Sequence, residues 1–339
     1  MAQNSDCNEH EGKILRSSPL PDGLKIGSNA YGRCLMTTKK FNKGTLLYTG
    51  RYIIVSDSSD YRFVQVGDEI YPISHVHSVQ VCGSNKRQLY EFDCFMNHSC
   101  DPNTYSPGIG RTEISECKTF VYQFFDTVAI KDIEAGEEIS TDYAMFDYTC
   151  NGHEIDPCLC KAQKCRGFMK GFRSLTLPQK VAIMKDVDED LIPQFQLDNP
   201  NVVMIEVDGS SLEAGLVRME IPADEETVSL VATKDVDEGQ LLFKSSCKRV
   251  VHPLLGEAKV PDIICKVNGS YKLLSESGYY LLEGVPVVGL FSFLRSNSNA
   301  MQTATVTCSL LFGENDEIIC AVSAVRALNS GELLIFDKL

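Results

Sequence analysis

The sequence predicts a mostly β protein built from two similar halves, on three observations. Between residues 30 and 150, short apolar runs recur between turns: "GTLLYTGRYIIV", "YRFVQVGDEIYPI", "TFVYQFFDTVAI" and "EEISTDYAMF". Their length and content of β-branched and aromatic residues indicate strands with irregular connections, not a bundle of long helices. Second, "LMTTKKFNKGTLLY" (Leu35 to Tyr48) lies over "LVATKDVDEGQLLF" (Leu230 to Phe243) at an offset of 195. The same offset puts "VAIKDIEAGEEISTDY" (Val128 to Tyr143) over "SAVRALNSGELLIFDK" (Ser323 to Lys338). Both matches keep a basic residue, a Gly turn and the following apolar pair in register, the mark of a diverged tandem duplication. Third, the clearest helical segment, "TLPQKVAIMKDVDEDLIPQF", falls between the halves. Thr176 is its predicted cap, Pro178 suits its first turn, and Pro193 is predicted to end it.

A chain of 339 residues with 43% hydrophobic content can bury the cores of two domains. The opening "MAQNSDCNEHEGK" lacks the apolar core of a signal peptide. The longest apolar stretch, "YYLLEGVPVVGLFSFL", is interrupted by Glu283, Gly284 and Pro286 and is too short for a bilayer. Fourteen cysteines are unevenly placed, with Cys94, Cys308 and Cys320 isolated in apolar runs, which fits reduced thiols better than a disulfide framework. The expected location is therefore nucleus or cytoplasm, not secretion and not a membrane, and the formal sequon Asn97-His98-Ser99 carries no glycan. A net charge of −14 argues against direct nucleic-acid binding and favours basic partners such as a lysine-rich protein tail. Nothing in the sequence fixes an oligomeric state.

Residues 95 to 104, "FMNHSCDPNT", place an amide, an imidazole, a hydroxyl and a thiol before a proline-stiffened turn. Taken alone, Asp101, Pro102 and Asn103 are ordinary turn residues. The second half supplies a control: aligning Phe95 with Phe293 puts Arg295 and Ser296 opposite Asn97 and His98, and Lys338 stands opposite Tyr143. The polar cluster is thus dispensable for such a scaffold, which points to chemistry. Downstream, "CLCKAQKCRG" sets Cys158, Cys160 and Cys165 in a C-x-C-x4-C arrangement, and a tetrahedral zinc site needs a fourth soft ligand, for which Cys100 is the candidate. His153 reads as a surface side chain.

In order and spacing, "FMNHSCDPNT", "AIKDIEAGEEISTDY" and "CLCKAQKCRGFMKG" resemble the three C-terminal signatures of SET-domain protein lysine methyltransferases, including the cysteine-rich post-SET segment. "GRCLMTTKKFNKG" resembles the family's opening glycine-rich turn. The resemblance implies a SET-type β-clip fold with knot-like C-terminal threading and short helices. It divides the chain into a polar tail (1–20), a catalytic SET domain (21–150), a post-SET zinc segment (151–173), a helical linker (174–205) and a degenerate SET-like domain (206–339).

It further implies an S-adenosylmethionine-dependent protein-lysine N-methyltransferase with a structural zinc ion. Gly32, Arg33, Cys34, Asn97, His98, Tyr143 and Leu159 would contact the cofactor, with His98 near its adenine end. Tyr143 would be the catalytic tyrosine and Tyr48 would line the lysine channel. Cys100, Cys158, Cys160 and Cys165 would hold the metal, and the substrate would be a lysine-containing protein, with histones in view. Cys34 departs from the usual second glycine and Thr141 from the usual aromatic residue. The alternative is a catalytically inactive SET-like zinc-binding protein-interaction module. A zinc hydrolase is disfavoured, because four thiolate ligands would close the metal to water.

Overall fold

The computed structural model describes residues 14–56, 61–114, 121–150, 153–207, 209–210, 212, 215–220, 229–250, 262–274, 279–282, 285–296, 304–312 and 317–336. Among the described residues it is mostly β, with two short α-helices. The chain divides into two compact units, Met1–Leu175 with Asp186–Phe195, and Thr176–Lys185 with Gln196–Leu339.

The stretch between the halves is one helix in the sequence reading and two in the structure. Thr176 caps Leu177–Ile183 through a capping box, with Gln179 N donating to Thr176 Oγ1 and Thr176 N donating to Gln179 Oε1 at 2.9 Å. Pro193 does not end a helix. It sits in the first turn of Leu191–Asp198, where its missing N–H has no partner to lose.

In the first unit, Leu46–Ser56 is the central strand, with Leu47, Tyr48, Gly50 and Ile53 buried. It pairs antiparallel with Val121–Ala129 on one side and Lys86–Tyr90 on the other. Buried Leu35, Ile53, Leu89, Phe92, Phe95, Phe125, Ile133 and Ile139 belong to the core over this sheet. The strand Asn97–His98 pairs in parallel with Ser140–Thr141, Ser140 opposite Asn97 and Thr141 opposite His98. This short crossing brings two stretches some forty residues apart in sequence into one place. Asn103 fastens it: its Nδ2 donates to Glu138 O at 2.8 Å and its Oδ1 accepts from Ser140 N at 2.9 Å.

The second unit repeats these pairings 195 residues later. Tyr48 faces Thr127 as Phe243 faces Val322, and Gly50 faces Phe125 as Ser245 faces Cys320. Phe41 bridges Ile133 as Val236 bridges Leu328, and Met36 bridges Glu138 as Val231 bridges Leu333. The parallel crossing recurs too, with Arg295 opposite Ile335 and Ser296 opposite Phe336. Thr305 fastens it as Asn103 does in the first unit, accepting from Ile335 N at 2.7 Å and donating to Leu333 O at 3.2 Å. Lys338, aligned with Tyr143 by sequence, lies outside the described residues.

Candidate active site

The site is assembled where four stretches of the first unit meet: the Gly32 hairpin, the Asn97–His98 crossing, the Ser140–Thr141 strand and the cysteine-rich segment. Gly32 closes the hairpin of Leu24–Asn29 with Gly32–Thr37 at φ +130°, and no atom lies within 4 Å of where a Cβ would stand. That conformation favours glycine, and its open side lets a ligand approach the backbone. Arg33 O accepts from Asn97 Nδ2 at 3.3 Å, which ties hairpin to crossing, while its guanidinium stacks 4.5 Å from the Tyr71 ring centre. Cys34 is fully buried opposite Gly27, which lacks the side chain that would meet Met36 and approach the Cys34 sulfur. The cysteine in place of glycine is therefore a packing solution within the hairpin.

Asn97 donates to Glu138 Oε1 at 2.6 Å, and Asn29 donates to Glu138 Oε2 at 2.8 Å. A carboxylate is thus fixed beside the Gly32 turn. Immediately after the crossing, Asp142 caps the short turn Tyr143–Met145. The Tyr143 hydroxyl donates to Met96 O at 2.7 Å, leaving its oxygen lone pairs free to accept. Burial pushes the Tyr143 phenol above its usual range, with Cys94 and Glu138 adding to the shift, so the residue stays neutral. The His98 ring lies 5.4 Å from the Tyr143 ring and accepts from Tyr143 N at Nδ1, 3.3 Å away. Burial lowers His98 to about 4, against the opposing pull of Asp142, so the imidazole is neutral.

The four cysteine sulfurs of Cys100, Cys158, Cys160 and Cys165 all lie within 4.8 Å of one another, with Cys100 and Cys158 3.9 Å apart. Four sulfurs each about 2.3 Å from one zinc would stand about 3.8 Å apart, so the set fits a tetrahedral ion. Burial opposes ionisation of Cys160, but main-chain N–H groups of Cys100 and Ala162 and the neighbouring thiols outweigh it and lower that thiol to about 7. His98 Nε2 is 3.3 Å from Cys100 Sγ, so the cluster and the crossing are contiguous. Leu159, between two of the cysteines, is 51% exposed.

Residues 32–144 match the protein family described as SET domain. They are a SET domain. Within this SET-containing chain, 75 residues are 36% identical to histone-lysine N-methyltransferase SUVR5 of Arabidopsis thaliana, covering 22% of this chain and 5% of that protein. A further match is 38% identical over 78 residues to an H3 lysine-4-specific histone-lysine N-methyltransferase of Saccharomyces cerevisiae, covering 22% of this chain and 6% of that one. Histone-lysine N-methyltransferase Set2 of Drosophila melanogaster is 35% identical over 80 residues, 23% of this chain and 3% of its own. The chain thus spans a small fraction of the length of these relatives.

Three residues at or beside this site were not singled out by sequence. Glu138 reads as a solvated turn residue yet receives two amide hydrogen bonds. Asp142 precedes Tyr143 and is buried, held by Arg166, which follows Cys165. Their positions next to motif residues were the available signal. Tyr48 lies on a different element, Leu46–Ser56, with its ring edge-on to Phe92 at 5.2 Å and its hydroxyl buried without a well-formed hydrogen bond.

Proposed function

We propose that the first unit is an S-adenosylmethionine-dependent protein-lysine N-methyltransferase. The single observation that carries this reading is the crossing of Asn97–His98 with Ser140–Thr141, which sets a neutral, oriented Tyr143 hydroxyl next to the Asn97–Glu138 pair. Bound S-adenosylmethionine would supply an electrophilic methyl group on a sulfonium. Glu138 and the open Gly32 turn suit a cationic ligand, with the carboxylate offering attraction and the glycine backbone close approach. Asn97 and His98 would hold it, with Arg33 and Cys34 contributing main chain and Leu159 an exposed apolar surface. Tyr143, tied to Met96 O, would present its lone pairs to the reacting amine, a fixed dipole that needs no reorganisation. The substrate amine must be neutral to attack, and positioning then supplies much of the acceleration.

Zinc on Cys100, Cys158, Cys160 and Cys165 would order the segment that follows the SET domain. The protein substrate is a lysine-containing partner, with histones first in view from the names of the relatives, in a nuclear or cytoplasmic setting. Among the described residues no helix is long and apolar enough to cross a membrane. The second unit we read as a degenerate copy, because it repeats the strand register but has Arg295 at the place of Asn97, and a cation there would repel a sulfonium.

A second reading, a zinc-binding interaction module without catalysis, draws on one feature: the Asn97 amide is already engaged by Glu138. Thermal unfolding with and without S-adenosylmethionine separates the two. A ligand that binds only the folded state raises Tm, and the rise grows with the logarithm of free ligand over Kd. A rise supports the enzyme, and an unchanged Tm at millimolar cofactor supports the module.

A further inference from the structure

The Tyr48 hydroxyl and the Asp93 carboxylate are buried facing each other, with Thr127 also at the phenol, yet neither Tyr48 Oη nor either Asp93 oxygen makes a well-formed hydrogen bond. Unpaired buried polar groups are costly, and an ionised carboxylate is the costliest kind. The duplicated scaffold shows that this cost is not required by the fold. In the second unit Tyr48 is matched by Phe243 and Thr127 by Val322 through identical strand register. Asp93 is matched by Phe291, since Met96 N donates to Asp93 O at 2.9 Å and Leu294 N donates to Phe291 O at 2.9 Å in the same turn. All three replacements are apolar and buried. The neighbours change too: Gly50, where a Cβ would meet both the Phe125 ring and Asp93 Oδ2, and Phe125 become Ser245 and Cys320. The same architecture therefore carries Phe243, Val322 and Phe291, with a buried and unpaired Ser245 hydroxyl, in one unit and retains a buried acid and phenol in the other.

We propose that Tyr48 and Asp93 together accept the proton of an incoming substrate ammonium group. This rests on the methyltransferase reading and adds the step that reading leaves open. An alkylammonium gives one N–H proton to Tyr48 Oη as the Tyr48 hydroxyl proton passes to an Asp93 carboxylate oxygen, leaving a neutral amine and a neutral carboxylic acid. The acid returns its proton to solvent before the next turnover, and no electrons change hands. The carboxyl is suited to accept that proton, because burial pushes it up to about 7, with Glu91 adding repulsion and the Tyr48 hydroxyl opposing. The other groups facing it are Tyr90 and Cys94, both held neutral by burial, and Glu91 is itself paired with Arg51 at 2.7 Å. Asp93 acts through Tyr48, so it is a positioning and proton-accepting residue and not one that touches the methyl donor.

The test is the pH profile of kcat/KM for labelled methyl transfer to purified core histones by the full chain, compared with Asp93→Asn and Tyr48→Phe. The wild-type acid limb is expected near 7. In Asp93→Asn it should move toward the free lysine value of about 10.4, so that activity falls at least about tenfold at pH 7 and recovers at pH 10. A merely structural role would scale the profile at every pH, and that result, or a superimposed profile, overturns the proposal. A second arm needs no turnover: in the presence of S-adenosylhomocysteine, n-butylammonium should shift the Asp93 carboxyl carbon resonance in wild type and not in Tyr48→Phe. If wild type transfers no methyl group, the methyltransferase reading fails and this arm alone decides the proposal. Absence of the shift overturns it.

Discussion

Arg166 holds Asp142 in a bidentate ion pair, Nη1 to Oδ2 at 2.6 Å and Nη2 to Oδ1 at 2.7 Å, with both side chains buried. The pair joins the cysteine-rich segment to the residue that caps the Tyr143 turn, and Asp142 Oδ1 also lies 3.6 Å from His98 Nδ1. Removing one partner leaves a buried charge uncompensated, a loss of about 3–5 kcal/mol. Arg166→Ala should therefore lower Tm strongly, whereas the double variant Arg166→Met with Asp142→Asn should recover part of the loss. Calorimetric unfolding of both checks this, and a single variant as stable as wild type would refute the role of the pair.

The same geometry makes the metal cluster part of the site and not a remote clasp. About one zinc per chain is expected on metal analysis, and chelation or Cys158→Ser should lower Tm and expose residues 158 to 172 to proteolysis. Metal-free protein with unchanged thermal stability contradicts the four-cysteine site.

Cofactor holding and catalysis should separate by residue. Tyr143→Phe deletes one hydroxyl at nearly constant volume, so S-adenosylmethionine affinity by calorimetry should stay within a few-fold while kcat drops by about 10²–10³. Asn97→Ala frees Glu138 and the Arg33 carbonyl from their shared amide and should weaken the affinity itself. Equal turnover by Tyr143→Phe would move the chemistry elsewhere.

Asp93 gives a stability prediction independent of activity. Its carboxyl is raised in the fold to about 7 from an ordinary value of 3.8, so the folded state binds this proton more tightly than the unfolded chain. Its contribution is most favourable below the unfolded value and is lost as pH rises through 7. Asp93→Asn removes the ionisation cost, by up to about 4 kcal/mol. The variant's advantage in Tm should be largest above pH 8, shrink between pH 7 and 4, and vanish near about pH 3. A difference that does not vary with pH contradicts a buried, ionisable Asp93.

The strands around the site were legible because alternation, Gly turns and the 195-residue repeat are carried by contiguous residues. The cysteine set was equally open, since three of its members lie within eight residues and the fourth in the Asn-His-Ser-Cys turn. Asp93, Glu138, Asp142 and Arg166 were not, for a physical reason. An acid in a turn is ordinary in sequence, and only tertiary packing shows that Asp93 is buried next to Gly50 or that Asp142 is clamped from beyond the cysteines. Pro193 misled because a proline that stops one helix and a proline in the first turn of the next look alike locally.

The central claim, that Tyr143 at the Asn97–His98 crossing serves methyl transfer to lysine, is tested most directly by incubating the full chain with S-adenosylmethionine labelled on its methyl group and purified core histones. The account predicts label on lysine side chains with wild type and its near loss with Tyr143→Phe at unchanged cofactor affinity. No lysine label from a wild-type protein that holds zinc and binds S-adenosylmethionine would contradict it.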